Sequence, residues 1–128
     1  MDESECQSVV NKWAKLYGYD DPPKVVFTSY ALVYSEENEI ETPAATILPG
    51  DEGPEIEINI NLPPRSELEM LWTLGHEFAH WLQFKEGRQV SQFMWKEAEF
   101  QEKEADEIGM KLAKNEIISR ASQLPLEF

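Results

Sequence analysis

Apolar residues recur along this chain at two different spacings, which predict helices in some segments and strands in others. Ahead of Gly18, helical intervals separate the apolar residues Val9, Trp13, Leu16 and Tyr17. An amphipathic helix is therefore predicted over residues 4–17, with the glycine as its C-terminal stop. Two aspartates and two prolines then interrupt the chain.

The following segment has the composition of β-structure. Residues 25–34 are rich in β-branched and aromatic side chains, which predicts a strand or a bent pair of strands. A polar loop is predicted next, over residues 35–42. Residues 44–48 predict a further short strand, which a turn-rich stretch at 49–54 would close.

Residues 55–61 alternate polar with apolar side chains at a period of two. This alternation predicts a half-buried strand, because successive side chains of a strand point to opposite faces of the sheet. Three isoleucines, Ile56, Ile58 and Ile60, should therefore share the buried face.

The next segment predicts a helix with a clear beginning and end. Ser66 and Glu69 form the S-x-x-E pattern of a capping box, and Gly87 stands where a helix that reaches about residue 86 would stop. Apolar residues lie on nearly every side of this helix, which predicts a central, buried position.

A second long helix is predicted over residues 92–118, ahead of a non-helical tail at 124–128. Strands followed by long helices favour an α+β fold. The chain shows no repeat, low-complexity tract or linker, and its 128 residues suffice for one core. Residues 1–128 are expected to form a single domain.

Charge restricts the partners that this chain would bind. Acidic side chains number 25 against 11 basic ones, for a net charge of -14. Such a field repels phosphate backbones and anionic lipid headgroups, so neither nucleic acid nor a membrane is an expected partner. The charge favours solubility first, and a basic protein is the macromolecule that it would attract.

The first residues and the cysteine content favour a cytoplasmic location. The sequence opens with acidic and polar residues rather than the basic start and apolar run of a secretion signal. Its one cysteine, Cys6, has no second cysteine with which to form an internal disulfide, which is compatible with a reducing compartment.

The first long predicted helix contains the sequence H-E-x-x-H, formed by His76, Glu77 and His80. Four-residue spacing places the two imidazoles one turn apart on one helix face, where both can reach one metal ion, and zinc suits such ligands. Glu77 lies about 100° from His76 around the helix, where a carboxylate can act as general base towards water. Both histidines of the chain fall in this motif, although incidental histidines are the alternative.

A zinc ion held here would polarise a peptide carbonyl and lower the pKa of water, the two requirements for peptide hydrolysis. The motif therefore predicts a zinc-dependent endopeptidase with Glu77 as its general base. A catalytic zinc site also needs a third protein ligand and an open position. Because the chain has no third histidine, that ligand should be acidic.

The segment from Glu102 to Asp106 reads E-x-x-A-D. Together with the run T-L-G-H-E-F-A-H-W-L over residues 73–82, it resembles the motifs of the gluzincin metallopeptidases, most closely the ImmA/IrrE-like minimal members. The resemblance extends over about residues 55–113. It implies a zincin-like fold, in which a small twisted sheet packs on the central H-E-x-x-H helix and a second long helix completes the zinc site.

The resemblance also assigns roles to residues of the second long helix. It implies that Glu102 binds zinc, that Ala105 lets the two helices approach, and that Asp106 orients a ligand histidine. The chain departs from the family at Ile108 and Gly109, where phenylalanine and alanine are usual. By analogy the substrate would be a protein, such as a repressor.

Helical geometry bears independently on the third ligand. At about 100° per residue, the face within about 60° of Glu102 consists of small and apolar residues: Trp95, Ala98, Ala105, Gly109 and Ala113. A carboxylate in the middle of such a face is costly to bury unless a cation meets it. Glu104, about 200° away, is expected to be solvated. Glu99 is the reserve ligand, and Asp106 fits as the acceptor for a ligand imidazole.

Two other functions stay open from the sequence. A zincin-shaped regulatory or virion protein would hold zinc through the same ligands without useful peptidase activity. An α+β interaction module without metal would carry its histidines by accident. For the enzyme, an extended peptide is expected to add a strand to the sheet, either at residues 44–48 or at residues 56–60.

Overall fold

Helices and strands together give an α+β fold, as the sequence predicts. The computed structural model describes residues 1–29, 32–34, 39–41, 44–47, 54–61, 66–87 and 95–122. The helices are α1 (Glu3–Leu16), α2 (Glu67–Lys85) and α3 (Trp95–Ser122). The strands are β1 (Lys24–Thr28), β2 (Leu32–Tyr34), β3 (Glu39–Glu41), β4 (Ala44–Ile47) and β5 (Glu55–Asn59). Most of the predicted turn at 49–54 and the predicted tail at 124–128 lie outside the described residues.

The ends of α1 and α2 follow their local sequence. At the start of α2 the Glu69 backbone N–H donates to Ser66 Oγ at 3.2 Å, which satisfies one amide that the helix itself cannot pair. Gly18 and Gly87 follow the two helices with φ values of 85° and 69°, a left-handed conformation that costs glycine little. Both predicted helices are confirmed to within one or two residues.

Helix α3 spans Trp95–Ser122, so it continues beyond the predicted end at residue 118, whereas the predicted first residues, 92–94, lie outside the described residues. Its last turns are stabilised by contacts that sequence pattern does not reveal. Arg120 pairs with Glu67 of α2 and with Glu116 of its own helix. Within the described ranges, no helix is both long enough and apolar enough to cross a membrane.

Two small sheets contain the strands. In the larger one β5 lies in the centre, parallel to β1 on one side and antiparallel to β4 on the other. The smaller sheet pairs β2 with β3 in antiparallel register, with Val33 opposite Ile40. The predicted loop at 35–42 is therefore wrong in part, because it includes β3. A three-residue strand is too short for its period to be recognised, and its pairing with β2 defines it.

The outcome for the three isoleucines of the predicted strand at 55–61 is mixed. Ile56 and Ile58 are buried, at 0% and 3% exposure, whereas Ile60 is 59% exposed. The strand ends at Asn59, whose side-chain oxygen accepts a hydrogen bond from the Asn61 amide at 2.8 Å. This local turn takes Ile60 out of the alternation, so its predicted burial is wrong.

Helix α2 lies between the larger sheet and α3, and its central residues form the core together with α1. The fully buried members of α2 include Leu71, Leu74, Phe78 and Trp81. The sequence predicts that α2 is buried on nearly every side. This prediction is wrong for the first turns of the helix, because Leu68 and Trp72 are 49% and 40% exposed.

Backbone contact between α2 and α3 depends on two glycines. A Cβ atom added to Gly109 would lie 2.6 Å from the His76 backbone nitrogen, and one added to Gly75 would lie 2.8 Å from the Gly109 carbonyl oxygen. Ala105 and Ala113 are fully buried on the same side of α3. The predicted close approach of the two helices is therefore confirmed, and it brings α3 against the histidine motif.

Candidate metal centre

Side chains of α2 and α3 meet at the edge of the contact between these helices. His76 and His80 project from successive turns of α2, and their Nε2 atoms lie 3.2 Å apart. From α3, Glu102 places one carboxylate oxygen 3.1 Å from His76 Nε2 and the other 3.1 Å from His80 Nε2. The structure thus brings together three side chains that the sequence predicts as metal ligands.

The donor atoms of this cluster fit a metal ion. Zinc binds histidine nitrogen and carboxylate oxygen at about 2.1 Å, so the donors of a tetrahedral site lie roughly 3.4 Å apart. The separations here, 3.1 to 3.2 Å, are close to that spacing. Within the described parts of the chain, this is the one group of three or more potential metal ligands whose donor atoms all lie within 4.8 Å of one another.

The far nitrogen of each imidazole has its own partner. His76 Nδ1 lies 2.8 Å from Asp106 Oδ1, and His80 Nδ1 lies 2.9 Å from Gln83 Oε1. Oxygens that accept hydrogen bonds require Nδ1–H on both rings, which leaves both Nε2 lone pairs to face a metal. Asp106 occupies the predicted place beside a ligand imidazole. The contact of Gln83 with His80 is not predicted from the sequence. The feature that could have indicated it is a polar amide three residues after His80 in an otherwise apolar stretch.

The environment of Glu102 differs from the prediction. Its side chain is 61% exposed, so it stands at the rim of the helix contact and not in the middle of a buried face. Ala105, Gly109 and Ala113 make the buried contact beside it. Helical angles place a residue on a face, but the closeness of α2 decides which part of that face is covered.

Two neighbouring glutamates also have definite positions. Glu99, the reserve ligand, is exposed and stands outside the cluster. Glu104 is half-buried, and its Oε1 accepts a hydrogen bond from Gln83 Nε2 at 3.2 Å, so its predicted solvation is wrong. The reason is that Gln83 reaches across from α2 to the side of α3 that the helical angle assigns to solvent.

Electrostatic contacts favour a positive charge at the cluster. Burial lowers the pKa of His76, but the hydrogen bond to Glu102 and the nearby carboxylate charges outweigh burial and raise the pKa to about 9. The pKa of His80 is raised by the same balance. Hydrogen bonds from the two imidazoles hold the pKa of Glu102 well below its usual range. Without a metal, protons on the imidazoles supply that charge.

Glu77 is half-buried on the turn of α2 that carries His76. Its charge contributes to the raised pKa of both His76 and His80, so its carboxylate lies within electrostatic reach of the donor atoms. This position is compatible with the predicted general base, and the role itself stays a prediction.

Comparison with known proteins adds no assignment, because no protein-family model, curated protein or solved structure matches this chain. Function is therefore inferred from the chemistry of the cluster. Two imidazoles and a carboxylate, with a further carboxylate nearby, are able to bind a divalent metal and move a proton beside it.

Proposed function

We propose that this chain is a zinc-dependent endopeptidase of the gluzincin type, with a protein as substrate. His76, His80 and Glu102 would hold the zinc, and Glu77 would serve as general base. The observation that carries the proposal is the convergence of three donor atoms from two helices beside a fourth, acidic side chain. A zincin-like arrangement of α2, α3 and the larger sheet, and a cytoplasmic location, belong to the same proposal.

Each side chain has a chemical task in this reaction. Zinc, when bound, would act as a Lewis acid that polarises the scissile carbonyl and lowers the pKa of water. Glu77 accepts the proton of the attacking water and passes it to the departing amine. Asp106 accepts a hydrogen bond from the Nδ1–H of His76, which would keep the Nε2 lone pair directed at the metal position.

Strand pairing limits which sheet edges could take up an extended substrate in this proposal. Addition along residues 56–60 is wrong as a prediction, because β5 already has a neighbour on each side. The outer amides of β1 are also occupied, since the Val25 N–H donates to Gln7 Oε1 at 2.7 Å and the Phe27 N–H donates to Glu3 Oε2 at 2.9 Å.

The remaining edge is β4. Among the described strands it pairs only with β5, and it lies against α2. A peptide bound to this edge would gain backbone hydrogen bonds while its chain runs beside the motif helix. The edge of β4, within the predicted residues 44–48, is therefore the proposed place for an added peptide strand.

The acidity of the molecule favours a basic segment as substrate. Beyond the cluster itself, the exposed carboxylates of Glu99 and Glu107 lie within about a turn of Glu102 and Asp106 on α3. Together with the net charge of -14, they would accelerate association with a positively charged partner at low ionic strength.

A metal assay on untagged protein tests the first half of the proposal. We expect about one zinc per chain and a lower melting temperature after chelation, because a metal bound only by the folded state stabilises it. A protein that holds no metal, and whose stability ignores chelators, would exclude the enzyme and leave the metal-free interaction module.

Substitution of the base tests the second half. Glu77→Gln should keep the zinc and the fold but abolish hydrolysis, because an amide cannot accept the proton of water. Cleavage of an unfolded protein and of basic peptides is measured beside zinc content, with Glu69→Gln, at an exposed glutamate in the first turn of α2, as the matched control. Equal cleavage by Glu77→Gln and the parent would remove Glu77 from this role. A parent that binds zinc but cleaves nothing would favour the non-catalytic zinc protein.

A further inference from the structure

Gln83 is a polar residue with no exposure to solvent, in the core between α2 and α3. Its side-chain oxygen lies 2.9 Å from His80 Nδ1. Its side-chain nitrogen donates to the Gln101 carbonyl oxygen at 3.0 Å and to Glu104 Oε1 at 3.2 Å. Every part of the amide therefore has a partner, which burial of such a group requires.

The surroundings determine which way this amide points. A backbone carbonyl and a carboxylate only accept hydrogen bonds, so the NH₂ group must face Gln101 and Glu104. A reversed amide would place its oxygen against two other oxygens, and its two N–H groups would face one histidine nitrogen that can accept from only one of them. The oxygen of Gln83 consequently faces His80 and requires a proton on Nδ1 of that ring.

We infer that Gln83 is a positioning residue for the metal centre, acting through His80. It holds the His80 ring with Nδ1 protonated and with Nε2 directed at Glu102 and His76, so that Nε2 donates to Glu102 in the metal-free protein and would offer its lone pair to a bound metal. Because its side-chain nitrogen donates to the backbone of Gln101, the residue before Glu102, it also links His80 to the turn of α3 that carries Glu102. The metal-binding part of this inference rests on the proposed function.

Burial makes this contact different from the one at the other histidine. Asp106 is 58% exposed, so water is able to take its place beside His76 if it is removed. Gln83 is shielded from solvent, so water cannot easily replace it beside His80. Loss of Gln83 should therefore free the His80 ring to rotate or to change tautomer, an effect confined to one of the two imidazoles.

The test compares the parent with Gln83→Leu, which keeps the side-chain volume and removes the amide. In the metal-free protein we expect NMR to show an Nδ1–H of His80 that exchanges slowly with solvent, and to show fast exchange in Gln83→Leu. The Nδ1–H of His76 is the control within each sample. In the same variant, zinc and cobalt affinity should fall by about ten to a hundredfold.

Glu104 provides a second pair of variants on the surface side of this contact, in case Gln83→Leu fails to fold. Glu104→Gln keeps an acceptor for Gln83, whereas Glu104→Ala removes it, so protection of the His80 Nδ1–H should fall only in the second. Unchanged protection and metal affinity in Gln83→Leu, or equal protection in both Glu104 variants, would overturn the inference. A parent that binds no metal but shows the Gln83-dependent protection would defeat the proposed function and leave the positioning of His80 intact.

Discussion

Helix α3 carries two clusters of charged side chains, and they differ in what balances the charge. Near its C-terminal end, Glu116 is almost fully buried and accepts hydrogen bonds from Lys12 Nζ at 2.8 Å and Arg120 Nε at 3.1 Å. Arg120 also pairs with Glu67. This ion-pair cluster joins all three helices and contains two cations for two carboxylates.

The metal-type cluster, formed by His76, His80 and Glu102, has no permanent cation of its own. Its carboxylate faces two imidazoles, which with an ordinary pKa of 6.5 would be mostly neutral at neutral pH. Further negative charge comes from Glu77 and Asp106. An excess of negative charge at close range favours protonation of the imidazoles, and it would equally favour the binding of a metal ion. The comparison indicates that the ion-pair cluster contains its own cations, whereas the metal-type cluster becomes positive only when its imidazoles are protonated. A bound metal ion is the alternative that we propose.

The largest expected effect is loss of the third ligand. Glu102→Ala should lower zinc affinity by at least about a hundredfold, since it removes a direct ligand where outer partners alone are worth ten to a hundredfold. Isothermal titration calorimetry with zinc measures the affinity of each variant, with Glu99→Ala as the control. If Glu99→Ala strips the metal and Glu102→Ala retains it, the assignment of the ligand on α3 is wrong.

A smaller effect is expected for Asp106. Asp106→Ala should weaken zinc binding by roughly ten to a hundredfold, because the His76 ring loses the acceptor that orients it and increases its basicity. Glu107→Ala, an exposed neighbour on the same helix, serves as the control in a competition assay with a chelating dye. Equal affinities for the two variants would contradict a role of Asp106 at the metal centre.

The ion-pair cluster should respond in the opposite way. Glu116→Ala is expected to lower the free energy of unfolding by about 1–2 kcal/mol, since it leaves Lys12 and Arg120 without a buried acceptor but partly in contact with water. Zinc affinity should be unchanged. Denaturant unfolding measures the first quantity, with Lys114→Ala as the surface control. A large loss of zinc affinity in Glu116→Ala would show that the two clusters are coupled.

The smallest effect concerns pH, because Glu102 is well exposed and water screens its pairing. The pKa of His76 rises from 6.5 to about 9, so its stabilising contribution is complete below pH 6.5 and is lost as the pH increases through 9. The pKa of Glu102 is lowered from 4.5, so its contribution is present above pH 4.5.

The metal-free protein should therefore gain most from this cluster between about pH 4.5 and 6.5. Thermal unfolding across pH measures the gain, and Glu102→Gln should flatten the decline above pH 6.5. Zinc affinity should change in the other direction and increase with pH, because the metal displaces the imidazole protons. A metal-free protein whose stability increases towards pH 9 would contradict the charge balance described for His76.

Local signals in the sequence were sufficient for features that depend on neighbouring residues. The stop at Gly18, the cap at Ser66 and the spacing of His76 and His80 all follow from geometry within one or two helical turns. The count of histidines predicts an acidic third ligand for the proposed metal site. Glu102 was selected by its resemblance to a known motif and by its position on a helix face.

Tertiary structure decided everything that depends on contact between segments distant in sequence. Strand β3 exists through its pairing with β2, and Ile60 is exposed because the chain turns after Asn59. The hydrogen bond from Gln83 to Glu104 could not be predicted, because it depends on a side chain of α2 that crosses to the far side of α3. Sequence periodicity describes the faces of a single helix, whereas burial and hydrogen bonding depend on how closely a second helix approaches. Here the contact between Gly75 and Gly109 sets that distance.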